Sequence, residues 1–427
     1  MSRLVYDKNG RLLFTKEMKR EYTLLMPQML PVTFTMMKKV FELYGYTIDM
    51  LTTTHRGIVE TGLKYVHNDT CYPALLVIGQ LLEAINSGLY DKHKIGLLIS
   101  QTGGGCRASN YIHLLRKALE KAGMPFIPVV SVNLSGLEHN PGFGLPLPVI
   151  RRLAVGMIYG DLIVWLSNQC RPYETIPGVT DSLIAMWTDR LIAMFGHGRG
   201  LRKNEMRRFM EEIAADFANI ELSGERDKPR VGVVGEIYVK YAPLGNNGLE
   251  QFLLEEGCEP VVPGLTDFMI FKINNRAVDV DLYHGNKLKK LVAGVFQRYI
   301  ESLQRVMIEA VETQPTFRPM GSFSDLQRLI RGYLGYGNKM GEGWLLTAEM
   351  LELIHTGTNN IVCTQPFGCL PNHVVGKGMI RRLKDDYPDS NIVAVDYDPG
   401  ATRINQENRI KLMIANAARA PEVAAGN

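Results

Sequence analysis

The sequence predicts an α/β protein whose parallel sheets are joined by helical insertions. Two observations carry this expectation. Strand-like runs rich in Val, Ile and Leu alternate with helical patterns almost from end to end, the order that parallel β–α–β units require. Hydrophobic residues make up 46% of the 427, enough for sizeable cores, and a chain of this length suggests about three domains.

The elements follow in order. Tyr22–Met29 reads as a strand, about Val32 to Leu43 as a helix, and Thr47–Leu51 as a second strand. A helix from about Pro73 to Asn86 leads into the strand Ile95–Ser100. After Gly103–Gly105 come a helix, Arg107–Ala122, and a strand, Phe126–Val132. The stretch from about Val149 to Ile220 is mostly helical, loosened by Gly196, Gly198 and Gly200. A second α/β region opens with the strand Val231–Val239 and continues through the helix Asn247–Glu256 and the strand Glu259–Val262. A long amphipathic helix runs from about Lys287 to Thr313, and Gly332, Gly335, Gly337, Gly341 and Gly343 then predict a mobile connection. The last unit is the strand Asn360–Thr364, a helix from about Pro371 to Leu383, the strand Ile392–Asp396 and a final helix. The chain thus divides into an α/β domain over 1–170, a helical connection over 171–228, a second α/β domain over 229–340 and a C-terminal α/β unit over 341–427.

Composition narrows the function classes. A net charge of +4 with no long basic run gives no reason to expect nucleic acid as a partner. Ser2 to Arg20 is polar and charged, unlike a secretory leader. The longest apolar run, Leu153–Leu166, is interrupted by Gly156, Gly160 and Asp161 and is too short to span a bilayer, so no membrane partner is expected. The expected location is the cytoplasm. In that reducing compartment the six cysteines, Cys71, Cys106, Cys170, Cys258, Cys363 and Cys369, read as buried thiols, metal ligands or reactive thiolates.

Two units look like copies of one another. Ile95 to Val132 reads strand, Gln101, glycine loop, Cys106, helix, strand. Ile361 to Val395 reads strand, Gln365, Pro-Phe-Gly, Cys369, helix, strand. Cys106 and Cys369 hold the same place in the two, through common origin or through the general pattern of such units.

Cys71 lies between the capping residues Asn68, Asp69 and Thr70 and the helix-starting Pro73. All three of these cysteines therefore stand at the start of a helix. A helix N-terminus offers unpaired N–H donors and partial positive charge, which lower a thiol pKa and stabilise a bound anion. One such cysteine suits a nucleophile. Three, in loops at the carboxyl ends of strands, suggest a shared anionic ligand, and a thiolate-held iron–sulfur cluster fits. Three thiolates hold three corners of a cubane and leave one iron free.

The other cysteines read more plainly. Cys258 and Cys363 suit small buried hydrophobes, while Cys170 precedes the polar run Arg171–Glu174 and is a weaker ligand candidate. No C-x-x-C pair supports structural zinc. Thr102–Gly105 lacks the Gly-Lys-Ser/Thr of a phosphate loop, and Gly232–Gly235 lacks the dinucleotide spacing. No nucleotide is expected on this chain.

The segments Asp69–Pro73, Gln101–Tyr111, Asn168–Glu174, Gly235–Tyr238 with Gly245–Asn247, and Gln365–His373 resemble the 2-hydroxyacyl-CoA dehydratase and benzoyl-CoA reductase superfamily. Within it, the chain is most similar to the acyl-CoA dehydratase activase-related branch, akin to the double-cubane cluster proteins. The resemblance runs from about Tyr22 to Ala417. It implies Rossmann-like domains around a 4Fe–4S or double-cubane cluster, with Cys71, Cys106 and Cys369 as ligands. It also implies a separate ATP-dependent activase of the sugar kinase/Hsp70/actin superfamily that drives low-potential electrons into the cluster. Association as a homodimer, or with a homologous subunit, would shield that cluster. Gln101, Arg107, Asn110, Gln365 and His373 are the residues expected to support the ligands. The expected function is an electron-transfer or reductase component. A 2-hydroxyacyl-CoA dehydratase subunit and a non-catalytic structural subunit are the alternatives.

Overall fold

The computed structural model describes residues 3–101, 105–133, 138–224 and 226–424. Two four-stranded, all-parallel sheets organise it. The first holds β1 (Thr23–Pro27), β2 (Thr47–Leu51), β3 (Ile95–Ser100) and β4 (Val129–Val132), in the order β2-β1-β3-β4. The second holds β5 (Arg230–Gly235), β6 (Glu259–Val261), β7 (Asn360–Pro366) and β8 (Asn391–Tyr397), in the order β6-β5-β7-β8. The two orders are the same. The pairs β3–β4 and β7–β8, which carry the matching sequence units, take equivalent places.

Burial explains the strand sequences. In β3 every residue but Ser100 is buried, and in β5 every residue but Arg230. Such continuous apolar runs are what sheets covered on both faces require. Helices α1 (Gly57–Tyr65), α2 (Tyr72–Asn86) and α3 (Tyr111–Lys121) belong to the first half. Every residue of α2 from Tyr72 to Leu82 is buried, which suits its apolar sequence all round. The 24-residue helix α4 (Leu147–Cys170) packs with helices Val179–Gly196, Lys203–Ala218 and Lys287–Glu312 around Trp187, Phe195, Phe217 and Leu303. A single apolar cluster runs from Leu24, Leu97 and Ile112 to Val233, Val362 and Val395, so the two halves share an interior.

Several sequence expectations need correction. The helix expected from Arg107 opens with a tight 3-10 turn, Arg107–Asn110, before α3. The strand expected over Val231–Val239 stops at Gly235. There φ is +151°, and a Cβ would lie 2.0 Å from Thr364 Oγ1. Glu236 then caps a short helix, α5 (Ile237–Tyr241), accepting from the Val239 N–H at 2.9 Å. The apolar character of Val239 serves burial in that helix, which alternation alone cannot distinguish from a strand. Helix Leu265–Tyr283 has no clean apolar stripe, because its buried residues mix Asp267, Asn274 and Asn275 with Ile270 and Phe271.

The glycine-rich stretch before helix α6 (Leu345–His355) is exposed at Gly332, Gly335 and Gly337 and becomes packed towards the helix. Lys339 and Glu342 are buried, Trp344 is fully enclosed, and its N–H donates to the Asn338 carbonyl at 2.6 Å. The helix expected from Pro371 begins as a wide π turn, Asn372–Gly376, and a 3-10 turn, Lys377–Met379, before Ile380–Asp386. Among the described residues no helix is long and apolar enough to cross a membrane.

Candidate metal centre

The turn that Cys106 opens and the loop after β7 both reach the segment that starts α2. The Tyr72 N–H, at the start of α2, donates to the Phe367 carbonyl at 2.9 Å. Gly368 has φ of +71°, and a Cβ there would lie 3.0 Å from Cys71 Cα. Only glycine allows that approach. From the other side the Arg107 guanidinium donates to the Asp69 carbonyl, tying the Cys106 loop to the Cys71 loop. Cys106 Sγ lies 3.7 Å from the place a Cβ would take on Gly341, which also faces Pro371. Cys71, Cys106 and Cys369 are thereby brought to one region. Thr102, Gly103 and Gly104 lie outside the described residues, and Gly105 donates its N–H to Met340 Sδ at 3.2 Å.

At each thiol a backbone N–H of the turn it opens acts to lower the pKa: Ala74 at Cys71, Ala108 at Cys106 and Asn372 at Cys369. Those donors act as expected on thiol acidity, yet the net direction is reversed. Burial pushes the Cys71 thiol up to about 12 and also raises Cys106 and Cys369. Desolvation disfavours the thiolate more than one N–H dipole favours it. The thiols also sense one another, since the charge of Cys106 raises Cys71 and that of Cys71 raises Cys369.

Two carboxylates share this region. Glu236 and Glu342 are buried, and burial raises both pKa values. Glu342 Oε1 accepts from the Ile237 N–H at 3.1 Å. Their negative charges act on both Cys106 and Cys369, with Glu342 ahead of Glu236 at each. The Tyr111 hydroxyl lies 2.7 Å from Cys71 Sγ. Lys272 Nζ donates to the Gly341 carbonyl.

The supporting residues fall into two groups. Gln101 is buried and joins loop to sheet: its Nε2 donates to the Ser109 carbonyl at 3.1 Å and its Oε1 accepts from Ser131 Oγ at 3.0 Å. Gln365 is fully buried, with Nε2 at 2.8 Å from the Pro366 carbonyl and 2.7 Å from His373 Nδ1, and its Oε1 has no partner among the described residues. Arg107, Asn110 and His373 are exposed, so they sit at the rim. The remaining cysteines are elsewhere. Cys170 and Cys258 are buried in apolar clusters, and Cys363 lies inside β7. Burial raises all three, to about 12, 11 and 12 respectively.

Sequence reasoning missed Tyr111, Glu236, Glu342 and Lys272. The available signal for Glu342 was a lone charge between Gly341 and Gly343. Among the described residues no three His, Cys, Asp or Glu side chains could share a single metal ion. A cubane asks for something wider, one thiolate at each of three corners with Fe–S bonds of about 2.3 Å. The donor set suits it: three sulfurs, two of them buried and one half-buried, whose thiols burial keeps protonated until positive charge arrives, beside two buried carboxylates. No protein-family model matches the chain, and no curated protein matches it.

Proposed function

We propose that the chain holds an iron–sulfur cluster, 4Fe–4S or double-cubane, on Cys71, Cys106 and Cys369. In this reading it accepts low-potential electrons from an ATP-dependent activase and passes them to a small substrate or a partner. The observation that carries the reading is the approach of three cysteines, each opening a helical turn, joined by the Tyr72–Phe367 and Arg107–Asp69 bonds and the close passage of Gly368 by Cys71 and of Gly341 by Cys106. When bound, such a cluster supplies one-electron chemistry at a potential set by charge, hydrogen bonds to sulfur and burial.

The chain's own residues do the rest. Backbone N–H groups of Ala74, Ala108 and Asn372 steady the sulfur charge. Cys71 and Cys369 are each 5% exposed, which keeps water off two of the three ligands. Gln101, bonded to Ser109 and Ser131, and Gln365, bonded to His373, tie the turns after β3 and β7 to their strands. The activase of the sugar kinase/Hsp70/actin type and association with a second copy or a homologous subunit are what the family resemblance implies, and the cytoplasmic setting is the expectation from composition.

The test is anaerobic purification with iron and sulfide analysis and EPR. The wild type is expected to carry iron and acid-labile sulfide together. Cys71→Ser, Cys106→Ser and Cys369→Ser are each expected to lose most of it, while Cys258→Ala keeps the full complement. Iron-free protein after anaerobic reconstitution, or equal loss from Cys258→Ala, would sink the reading.

A further inference from the structure

The helices Leu265–Tyr283 and Lys287–Glu312 form a hairpin whose tip carries exposed apolar side chains. We infer that this hairpin is the face on which two copies of the chain pair, about a two-fold axis that lays one Lys287–Glu312 helix antiparallel on the other. The inference goes beyond the cluster reading above and holds with or without iron.

The first support is periodicity. Leu288, Leu291, Val292, Val295 and Tyr299 recur at intervals of three and four, a stripe about 100° wide down one face of the helix. Val306 stands about five turns beyond Leu288 on that same face. In this second half the stripe is covered. Leu303, Val306 and Ala310 are buried in one cluster with Phe209 and Ile213 of helix Lys203–Ala218, and Arg207 pairs with Glu309 at 2.6 Å. In the first half the five side chains are 38–65% exposed. One continuous helix face is an interior seam at one end and bare at the other. The tip is firmly built: Asn286 Oδ1 accepts from the Leu288 N–H at 2.8 Å, Asn274 Nδ2 donates to Gln297 Oε1 at 3.1 Å, and Lys290 pairs with Asp281.

The second support is area and self-complementarity. With Tyr283, 68% exposed, the six side chains present about 600 Å² of apolar surface, the top of the range for the largest patch on a monomer. Two copies would bury roughly 1,200 Å² from these groups alone, the size at which specific interfaces begin. The stripe is also its own complement. A two-fold axis between Ala293 and Gly294 sets Leu288 against the partner subunit's Tyr299, and Val292 against the partner subunit's Val295. The same axis brings Lys287 beside the partner subunit's Glu301, so charge agrees with the apolar register.

The third support is where the hairpin leads. Lys272 Nζ donates to the Gly341 carbonyl, and Asn275 Nδ2 donates to the Lys339 carbonyl at 3.4 Å. Lys339 Nζ pairs with Asp279 and lies 5.5 Å from the centre of the Tyr283 ring. Next to Lys339, the exposed Met340 accepts the Gly105 N–H beside Cys106. The hairpin therefore grips the segment that borders the half-buried cysteine, and pairing through Tyr283 brings the second copy towards that side of the site.

The experiment is sedimentation velocity and light scattering on the full chain, iron-free and after anaerobic reconstitution, with iron and sulfide measured on the same samples. The wild type is expected to be a dimer in both forms, with a Kd of about 1 µM or tighter. Val292→Glu and Val295→Glu are each expected to raise that Kd by about 100-fold or more, with unchanged circular dichroism. Leu89→Glu, at an 81% exposed leucine outside the hairpin, is expected to leave the dimer intact. Lys287→Glu and Glu301→Lys are each expected to weaken it and the double exchange to restore it, which reads the antiparallel register. A monomeric wild type would overturn the inference, as would a dimer that survives both Val292→Glu and Val295→Glu. Monomers that bind vesicles of phosphatidylcholine with phosphatidylserine would overturn it in favour of a lipid surface. Protein that takes up no iron yet stays dimeric would remove the cluster reading and leave this face standing.

Discussion

Tyr111 offers the most direct handle on the site at the scale of single residues. Its hydroxyl stands 2.7 Å from the Cys71 sulfur in a buried setting, where a hydrogen bond to a charged group is worth about 1.5–3 kcal/mol. If an electron added to the bound cluster makes the sulfur more negative, that bond favours the reduced state. Tyr111→Phe is therefore expected to retain iron and to lower the midpoint potential by about 40 mV, if about 1 kcal/mol of the bond distinguishes the two states. Redox titration followed by EPR checks this, and an unchanged or raised potential would refute it. What the sequence could say of this site follows from locality. Strand, loop, cysteine and helix lie in one stretch of chain around Cys106 and around Cys369, and so their order is legible. Tyr111 is not, because an aromatic in the first turn of a helix reads equally well as core. Thiol acidity was misjudged for the same reason: the N–H dipoles are local, whereas desolvation is contributed by every segment that closes over the sulfur.

At the scale of elements the tightest joint is between α1 and α2. A Cβ on Gly79 would lie 2.2 Å from the Ile58 carbonyl oxygen, and one on Gly62 would lie 2.4 Å from that of Leu75. The clash is with backbone, so the helices must part. Gly79→Ala would gain up to about 1 kcal/mol of helix propensity, but overpacking of this kind costs about 1–3 kcal/mol or more. The expected result is net destabilisation, seen as a lower urea midpoint with an unchanged slope. Because α2 begins at Cys71, the variant is also expected to hold iron less firmly. A midpoint equal to or above wild type would show that the joint yields freely. The long strands and helices were legible because their periodicity survives in sequence. The breaks at Gly235, Arg107 and Asn372 were not, since a contact with Thr364 or a loop carried by another strand decides where they fall.

At the scale of the whole molecule the interior is unusually rich in carboxylates. Asp161, Glu250, Asp267, Glu342, Glu349 and Glu352 all have pKa values raised by burial, with Lys240 as the cation bonded to Glu349. An acid with a raised folded pKa keeps its proton in the fold after the unfolded chain has lost it. The folded state then binds more protons, so stability falls as pH rises from the ordinary carboxylate range, about 4, through the folded values. Iron-free protein is therefore expected to melt higher at pH 5.5 than at pH 8, by roughly 5 °C. Calorimetry at the two pH values checks this, and a flat or rising profile would contradict it. The division of the cysteines between the halves also sets a timetable for biosynthesis. Cys71 and Cys106 leave the ribosome before Cys369, which follows Cys71 by roughly 300 residues, or about 15–60 s of elongation. Through that interval the nascent chain displays two thiols with no third to complete the set. Under the proposed assignment iron must wait for chains whose halves have both emerged and closed on one another, and a polypeptide terminated before Cys369 would draw none from the cell's supply.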